Sequence, residues 1–99
     1  MPLNLLFTSS FYRSLKNFDP QQQQTVSEII EALKFYYASG SDIAQAHKAT
    51  PRFFYKKLRN DFYEAGVENK LRIILRKDGP HCSAVFAGNH DQIRKFLLG

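Results

Sequence analysis

The chain has 99 residues, 43% of them hydrophobic and 14% aromatic, with a formal net charge of +5; this predicts a single globular domain over 1–99 and excludes a long disordered segment. No run approaches the ~20 apolar residues of a membrane span. The start MPLNLLFTSSFYR lacks the basic and long apolar regions of a secretion signal, so a cytoplasmic protein is expected. Residues 1–47 carry three Lys/Arg against four Asp/Glu, whereas residues 48–99 carry eleven against five, the footprint of an anionic partner such as nucleic acid or an acidic protein segment, with a solvated basic face as the plain alternative.

Leu3–Thr8 is short and apolar and reads as a first strand, with Thr8, Ser9 and Ser10 able to cap a helix that carries Phe11, Leu15 and Phe18 at roughly helical spacing. Asp19 and Pro20 break that run and open a second helix, Asp19 as cap and Pro20 at the first position. From Gln21 to about Ala38, Val26, Ile29, Ile30, Leu33 and Tyr37 form one apolar stripe, with Glu28, Glu31 and Lys34 on the other side and Ser39-Gly40 as the stop. The stretch Asp42–Ala49 reads as a short helical turn before Pro51. The segment RFFYKKLR then suits a strand with Lys56 and Leu58 on one side and Lys57 and Arg59 on the other.

Residues Asn60–Asn69 read as a connection. Lys70–Arg76 alternates, with Leu71, Ile73 and Leu75 on one face and Arg72, Ile74 and Arg76 on the other, and Lys77-Asp78-Gly79-Pro80 is a turn signal for a hairpin. Cys82–Ala87 returns as a mostly apolar strand; the lone Cys82 excludes an internal disulfide and reads as a small buried hydrophobe. Gly88-Asn89 turns the chain into a terminal helix over His90–Leu98 with Ile93, Phe96 and Leu97 inward. The order β-α-α-β-β-β-α predicts a small α+β domain, an antiparallel sheet packed on two N-terminal helices with its other face partly open. Arg72 falls on that open face, beside one or both of Lys56 and Lys57 and the residues after Gly88.

The sequence FYKKLR, then KLRIILR, then an apolar strand ending in AGNHDQIRKFL resembles the RelE/ParE superfamily of toxins from type II toxin-antitoxin modules, over nearly the whole chain. The Gly88-Asn89-His90-Asp91 turn looks most like a subgroup in which this turn reads G-x-H-D. The resemblance implies an mRNA endonuclease, dependent on the ribosome or free of it, or else the gyrase-poisoning branch of the fold; a basic module that grips nucleic acid without cutting it is the third reading. It further implies a cognate antitoxin as partner, and operator DNA reached only through the antitoxin complex. No cofactor or metal is expected.

Cutting RNA without a metal needs a base for the 2′-hydroxyl, cations for the phosphorane and a donor for the leaving 5′-oxygen. Arg72 can fork onto phosphate oxygens, and Lys56 and Lys57 can add charge, one as base if burial lowers its pKa. His90 is the side chain best suited to moving a proton at neutral pH, with Asp91 orienting it. Arg59, Arg76, Asp91 and Arg94 are the expected substrate contacts. The plain readings are an edge strand lined with lysines and a helix cap at Asn89 or Asp91. Several RNA-cutting relatives place an arginine after the glycine turn and a tyrosine six residues later; here those positions hold His90 and Phe96, and Phe96 cannot donate a proton.

Overall fold

A computed structural model describes residues 4–67 and 71–98; the expected strand residues Leu3 and Lys70 lie outside them. The elements are β1 (Asn4–Phe7), α1 (Ser9–Ser14), α2 (Pro20–Ala38), α3 (Ile43–Ala49), β2 (Phe54–Arg59), β3 (Phe62–Gly66), β4 (Arg72–Asp78), β5 (His81–Gly88) and α4 (His90–Leu98). Helix α2 starts where Asp19 accepts from the Gln22 backbone N–H at 2.8 Å while Gln22 Oε1 accepts from the Asp19 N–H at 2.9 Å, a reciprocal cap worth about 1 kcal/mol. Beyond the helix, Gly40 takes a φ of +76°, a left-handed backbone that glycine adopts without a Cβ clash. The buried stripe Val26, Ile29, Ala32, Leu33 and Tyr37 faces the sheet, and α3 packs on α2.

The α+β class holds, and the sheet has five strands in the order β1-β5-β4-β3-β2. Two features differ from the antiparallel four-strand expectation. Strand β1 pairs parallel to β5, Leu5 opposite Cys82 and Phe7 opposite Ala84, so the sheet is mixed. Past Phe7 the free edge of β5 is covered by α1 instead: the Thr8 N–H bonds the Ala84 carbonyl at 3.1 Å and Ser14 Oγ accepts from the Ala87 N–H at 3.0 Å. The second difference is β3, in the stretch expected to be a connection. Asn60 at φ 51° makes the turn, and β3 runs antiparallel between β2 and β4. Its sequence FYEAG hides the strand pattern, because the polar Glu64 is buried and Gly66 breaks the run.

Residues opposite one another across a ladder share a face. The helix-covered face carries Tyr55, Ala65, Ile73 and Ala87 in one row, and Lys57, Tyr63, Leu75 and Ala84 in the next. Most of these belong to the main core, where each fully buried Ile or Leu contributes roughly 1.5–3 kcal/mol. At the centre of that core Tyr37 bridges α2 to two strands, its hydroxyl 2.9 Å from Tyr55 Oη and 3.1 Å from Cys82 Sγ. Burial holds the Tyr37, Tyr55 and Cys82 pKa values above their ordinary range. Cys82 is fully buried, as its apolar run predicts.

Candidate functional site

The opposite face of the sheet carries three rows: Phe54, Gly66, Arg72 and Gly88; then Lys56, Glu64, Ile74 and Phe86; then Arg59, Phe62, Arg76 and Ser83. The alternation of β4 therefore holds, with Ile73 and Leu75 in the main core and Arg72 and Arg76 across the sheet from it. The bulge between Lys57 and Arg59 in β2 changes the expected sides on that strand. By register Arg59 shares the face of Lys56, and Lys57 lies on the helix-covered face. An extra residue in one strand shifts which side its neighbours take, and no sequence alternation signals it here.

Arg72 and Lys56 meet through a residue that the sequence reading missed. Glu64 is only 3% exposed, and its carboxylate accepts from Arg72 Nη1 while Lys56 Nζ stands 3.8 Å from its other oxygen. The Arg72 guanidinium also lies over the Phe54 ring, 5.4 Å from its centroid, a favourable placement for a cation. Gly66 makes that possible: a Cβ there would meet the Phe54 ring at 2.7 Å. Arg72 is thus fixed on one edge by a carboxylate and on one plane by an aromatic ring. Its Nε is buried with no hydrogen-bond partner among the described residues. A buried donor without an acceptor costs about 1–3 kcal/mol.

His90 opens α4, just after β5 ends. Gly88 sits directly opposite Arg72, and the chain turns there into α4. A side chain at Gly88 would meet Gln92 Oε1 and the Phe86 ring at 2.9 Å, so glycine is what allows the tight exit from the sheet. The cap is Asn89: its Oδ1 accepts from the Gln92 N–H and its own N–H donates to Gln92 Oε1, both at 2.9 Å. That leaves His90 and Asp91 outside the capping hydrogen bonds, both exposed on the first turn. Of the expected site residues, Arg72 and Lys56 meet at Glu64, His90 follows two residues after Gly88, which lies opposite Arg72, and Lys57 is directed to the other face.

Two further arginines have structural partners. Arg59 Nη2 donates to the Leu97 carbonyl, tying the β2 edge to the end of α4. Arg76 Nε donates to Asp61 Oδ2 at 2.9 Å; that bond lowers the Asp61 pKa and raises that of Arg76. Arg94 lies one turn beyond His90 and lines a groove with Leu58, Arg59, Leu97 and Leu98. Phe96 stacks on Phe86, centroids 4.6 Å apart and planes 15° apart, so it packs α4 to the sheet. His47 bonds the Phe53 carbonyl at 2.7 Å. Among the described residues no group of three or more His, Cys, Asp or Glu is placed to hold a metal ion, and no helix is long and apolar enough to cross a membrane.

No protein-family model matches the chain, and no curated protein matches its sequence. Solved structures do match its fold. A chain of the RelB-RelE antitoxin-toxin complex of Methanococcus jannaschii is 17% identical, with a TM-score of 0.63 over 92% of this chain and 96% of that one. A chain of the E. coli DinJ-YafQ toxin-antitoxin complex is 9% identical, with a TM-score of 0.66 over 94% and 98%. YoeB of Staphylococcus aureus, solved as a dimer, is 18% identical, with a TM-score of 0.60 over 91% and 99%. The structural neighbours of this chain are RelE-, YafQ- and YoeB-type proteins of toxin-antitoxin systems, and the chain shares their fold over 91–94% of its length.

Proposed function

We propose that this chain is the toxin of a toxin-antitoxin pair and that it cuts mRNA at the Glu64–Arg72–His90 face of its sheet. The observation that carries the reading is the buried Glu64 carboxylate locked to Arg72 and facing Lys56. A surface that only grips phosphate has no use for a buried carboxylate, which weakens the local positive field; a site that must hold two cations in fixed geometry around a reacting phosphate does. The fold shared with RelE, YafQ and YoeB supports the same reading. The gyrase-directed alternative gains nothing from this arrangement.

In the proposed reaction Arg72 and Lys56 receive the non-bridging oxygens of the scissile phosphate. Negative charge grows on those oxygens as the 2′-oxygen attacks, and fixed cations stabilise it without reorganising. Glu64 is a positioning residue: too buried to meet substrate directly, it holds Arg72 and Lys56 at the right distance. His90 takes the proton from the 2′-hydroxyl as the 2′-oxygen bonds to phosphorus and passes it to the 5′-oxygen as the P–O5′ bond breaks, leaving a 2′,3′-cyclic phosphate and a 5′-hydroxyl, since imidazole exchanges protons near neutral pH. Phe96 stacks and takes no part in proton transfer. A partner protein that covers this basic face would silence the site, which is the role proposed for an antitoxin. The test is mapping of cellular mRNA 5′ ends after induction of the wild type and of an Arg72→Ala, His90→Ala variant.

A further inference from the structure

Phe54, Gly66, Arg72 and Gly88 stand opposite one another across four strands of the sheet, so the cation of the proposed site has a glycine on each side of it. Neither glycine takes a positive φ. A left-handed backbone is therefore not what they supply, and because glycine weakens a strand, what the fold uses here is the missing side chain. At Gly88 the gap is filled by Gln92 Oε1 and the Phe86 ring, each 2.9 Å from where a Cβ would stand. At Gly66 it is filled by the edge of the Phe54 ring, 2.7 Å away. Strands two apart in a sheet have backbones about 10 Å from each other, yet the Arg72 guanidinium lies over the Phe54 ring at 5.4 Å from its centroid. The contact crosses the space that a side chain at Gly66 would take.

We propose that Phe54 is a positioning residue of the RNA-cutting site: its ring, seated in the Gly66 gap, fixes the orientation of the Arg72 guanidinium. This role rests on the RNA-cutting reading and adds to it a residue that acts only through Arg72. Glu64 holds the cation at Nη1, and a single hydrogen bond leaves a planar group able to swing about it. A contact on its flat face removes that freedom. A guanidinium has such a face to lay on a ring, whereas a lysine ammonium is a compact point charge without one. A cation fixed in this way meets the charge that grows on the phosphate without reorganising, which speeds the chemical step and leaves substrate binding nearly unchanged. An aromatic ring laid across a neighbouring glycine also stabilises a sheet by itself. The two roles differ in what they change: shielding acts on stability, positioning on rate.

The test is single-turnover cleavage of a synthetic mRNA by the full chain with purified ribosomes, followed over protein concentration so that the maximal rate and half-saturation are read separately. Phe54→Leu keeps an apolar side chain and loses the ring; it should lower the maximal rate about tenfold and move half-saturation less than about twofold. Phe54→Tyr keeps the ring and should cut within about twofold of the wild-type rate. Gly66→Ala leaves Phe54 in the chain but takes its seat, so the same loss is expected by a second route, with the folded fraction of each variant checked by circular dichroism. In an Arg72→Lys background no flat cation is left to hold, and Phe54→Leu should then change the rate less than about twofold. A folded Phe54→Leu that loses stability but cuts at the wild-type maximal rate would overturn the assignment, as would the same tenfold loss in the Arg72→Lys background. If Arg72→Ala abolishes cleavage while Phe54→Leu leaves it intact, only this role falls and the RNA-cutting reading stands. A wild type that cuts no RNA removes both.

Discussion

The carboxylate of Glu64 on β3 and the guanidinium of Arg72 on β4 form an ion pair with side chains 3% and 16% exposed, on the face of the sheet away from the main core. Removing one partner leaves the other as a buried charge. Glu64→Ala and Arg72→Ala should each destabilise the fold by roughly 3–5 kcal/mol. The double variant Glu64→Leu, Arg72→Met should recover most of that stability in urea unfolding and stay inactive, because the pair is then replaced by apolar packing. Additive losses in the double variant would contradict the pairing.

Two adjacent lysines should behave differently. Lys56 shares the face of Arg72 and stands 3.8 Å from Glu64, whereas Lys57 lies opposite Tyr63 on the helix-covered side. Lys56→Ala should lower RNA cleavage about tenfold, the effect of losing roughly 1.4 kcal/mol of charge stabilisation. Lys57→Ala should change it less than twofold. Single-turnover cleavage rates of the two variants, measured side by side, decide this, and equal losses would remove the face assignment.

Much of this face was legible in the residues, and the gaps have physical causes. The alternation of KLRIILR separates Arg72 from Ile73 correctly because one face of β4 is a dense core. The Asp19-Pro20 start and the Gly79-Pro80 hairpin follow from local backbone chemistry, which acts within a few residues. Glu64 was not legible: a lone acid inside FYEAG reads as a loop unless its cationic partner, eight residues away on the next strand, is known. The bulge that moves Arg59 to the Lys56 side, and the parallel pairing of β1, are decided by tertiary contacts that leave no periodic mark.

Phe96 serves packing, and its exchange for tyrosine adds a hydroxyl to a half-buried ring without removing the Phe86 stack. Phe96→Tyr should therefore leave the melting stability within about 0.5 kcal/mol. It should raise the cleavage rate if the hydroxyl supplies a second proton donor near His90. Phe96→Ala should cost roughly 2 kcal/mol through lost burial and stacking. Thermal unfolding of the three proteins separates the packing role from the chemical one.

The Tyr37, Tyr55 and Cys82 cluster sets an alkaline limit on the fold. Burial raises all three pKa values above the ordinary 10.0 for tyrosine and 9.0 for cysteine. Between the unfolded and folded values the native state keeps protons that the unfolded chain has lost. The contribution is therefore complete below about pH 9 and is lost as the pH rises beyond it. Urea midpoints should fall steadily above pH 9 in the wild type. Tyr37→Phe should lose about 1–3 kcal/mol at neutral pH, since Tyr55 Oη and Cys82 Sγ lose a buried partner. Cys82 should react with a thiol reagent only once the protein is unfolded, and fast labelling of the native state would contradict its burial.

The proposal that this sheet face cuts RNA is tested most directly by primer extension on cellular mRNA after induction of the wild type and of the Arg72→Ala, His90→Ala variant, with equal expression and folding checked. The wild type should generate new 5′ ends within coding sequences and the variant none. The same ends in the variant, or growth arrest by the wild type with mRNA left intact, would contradict it.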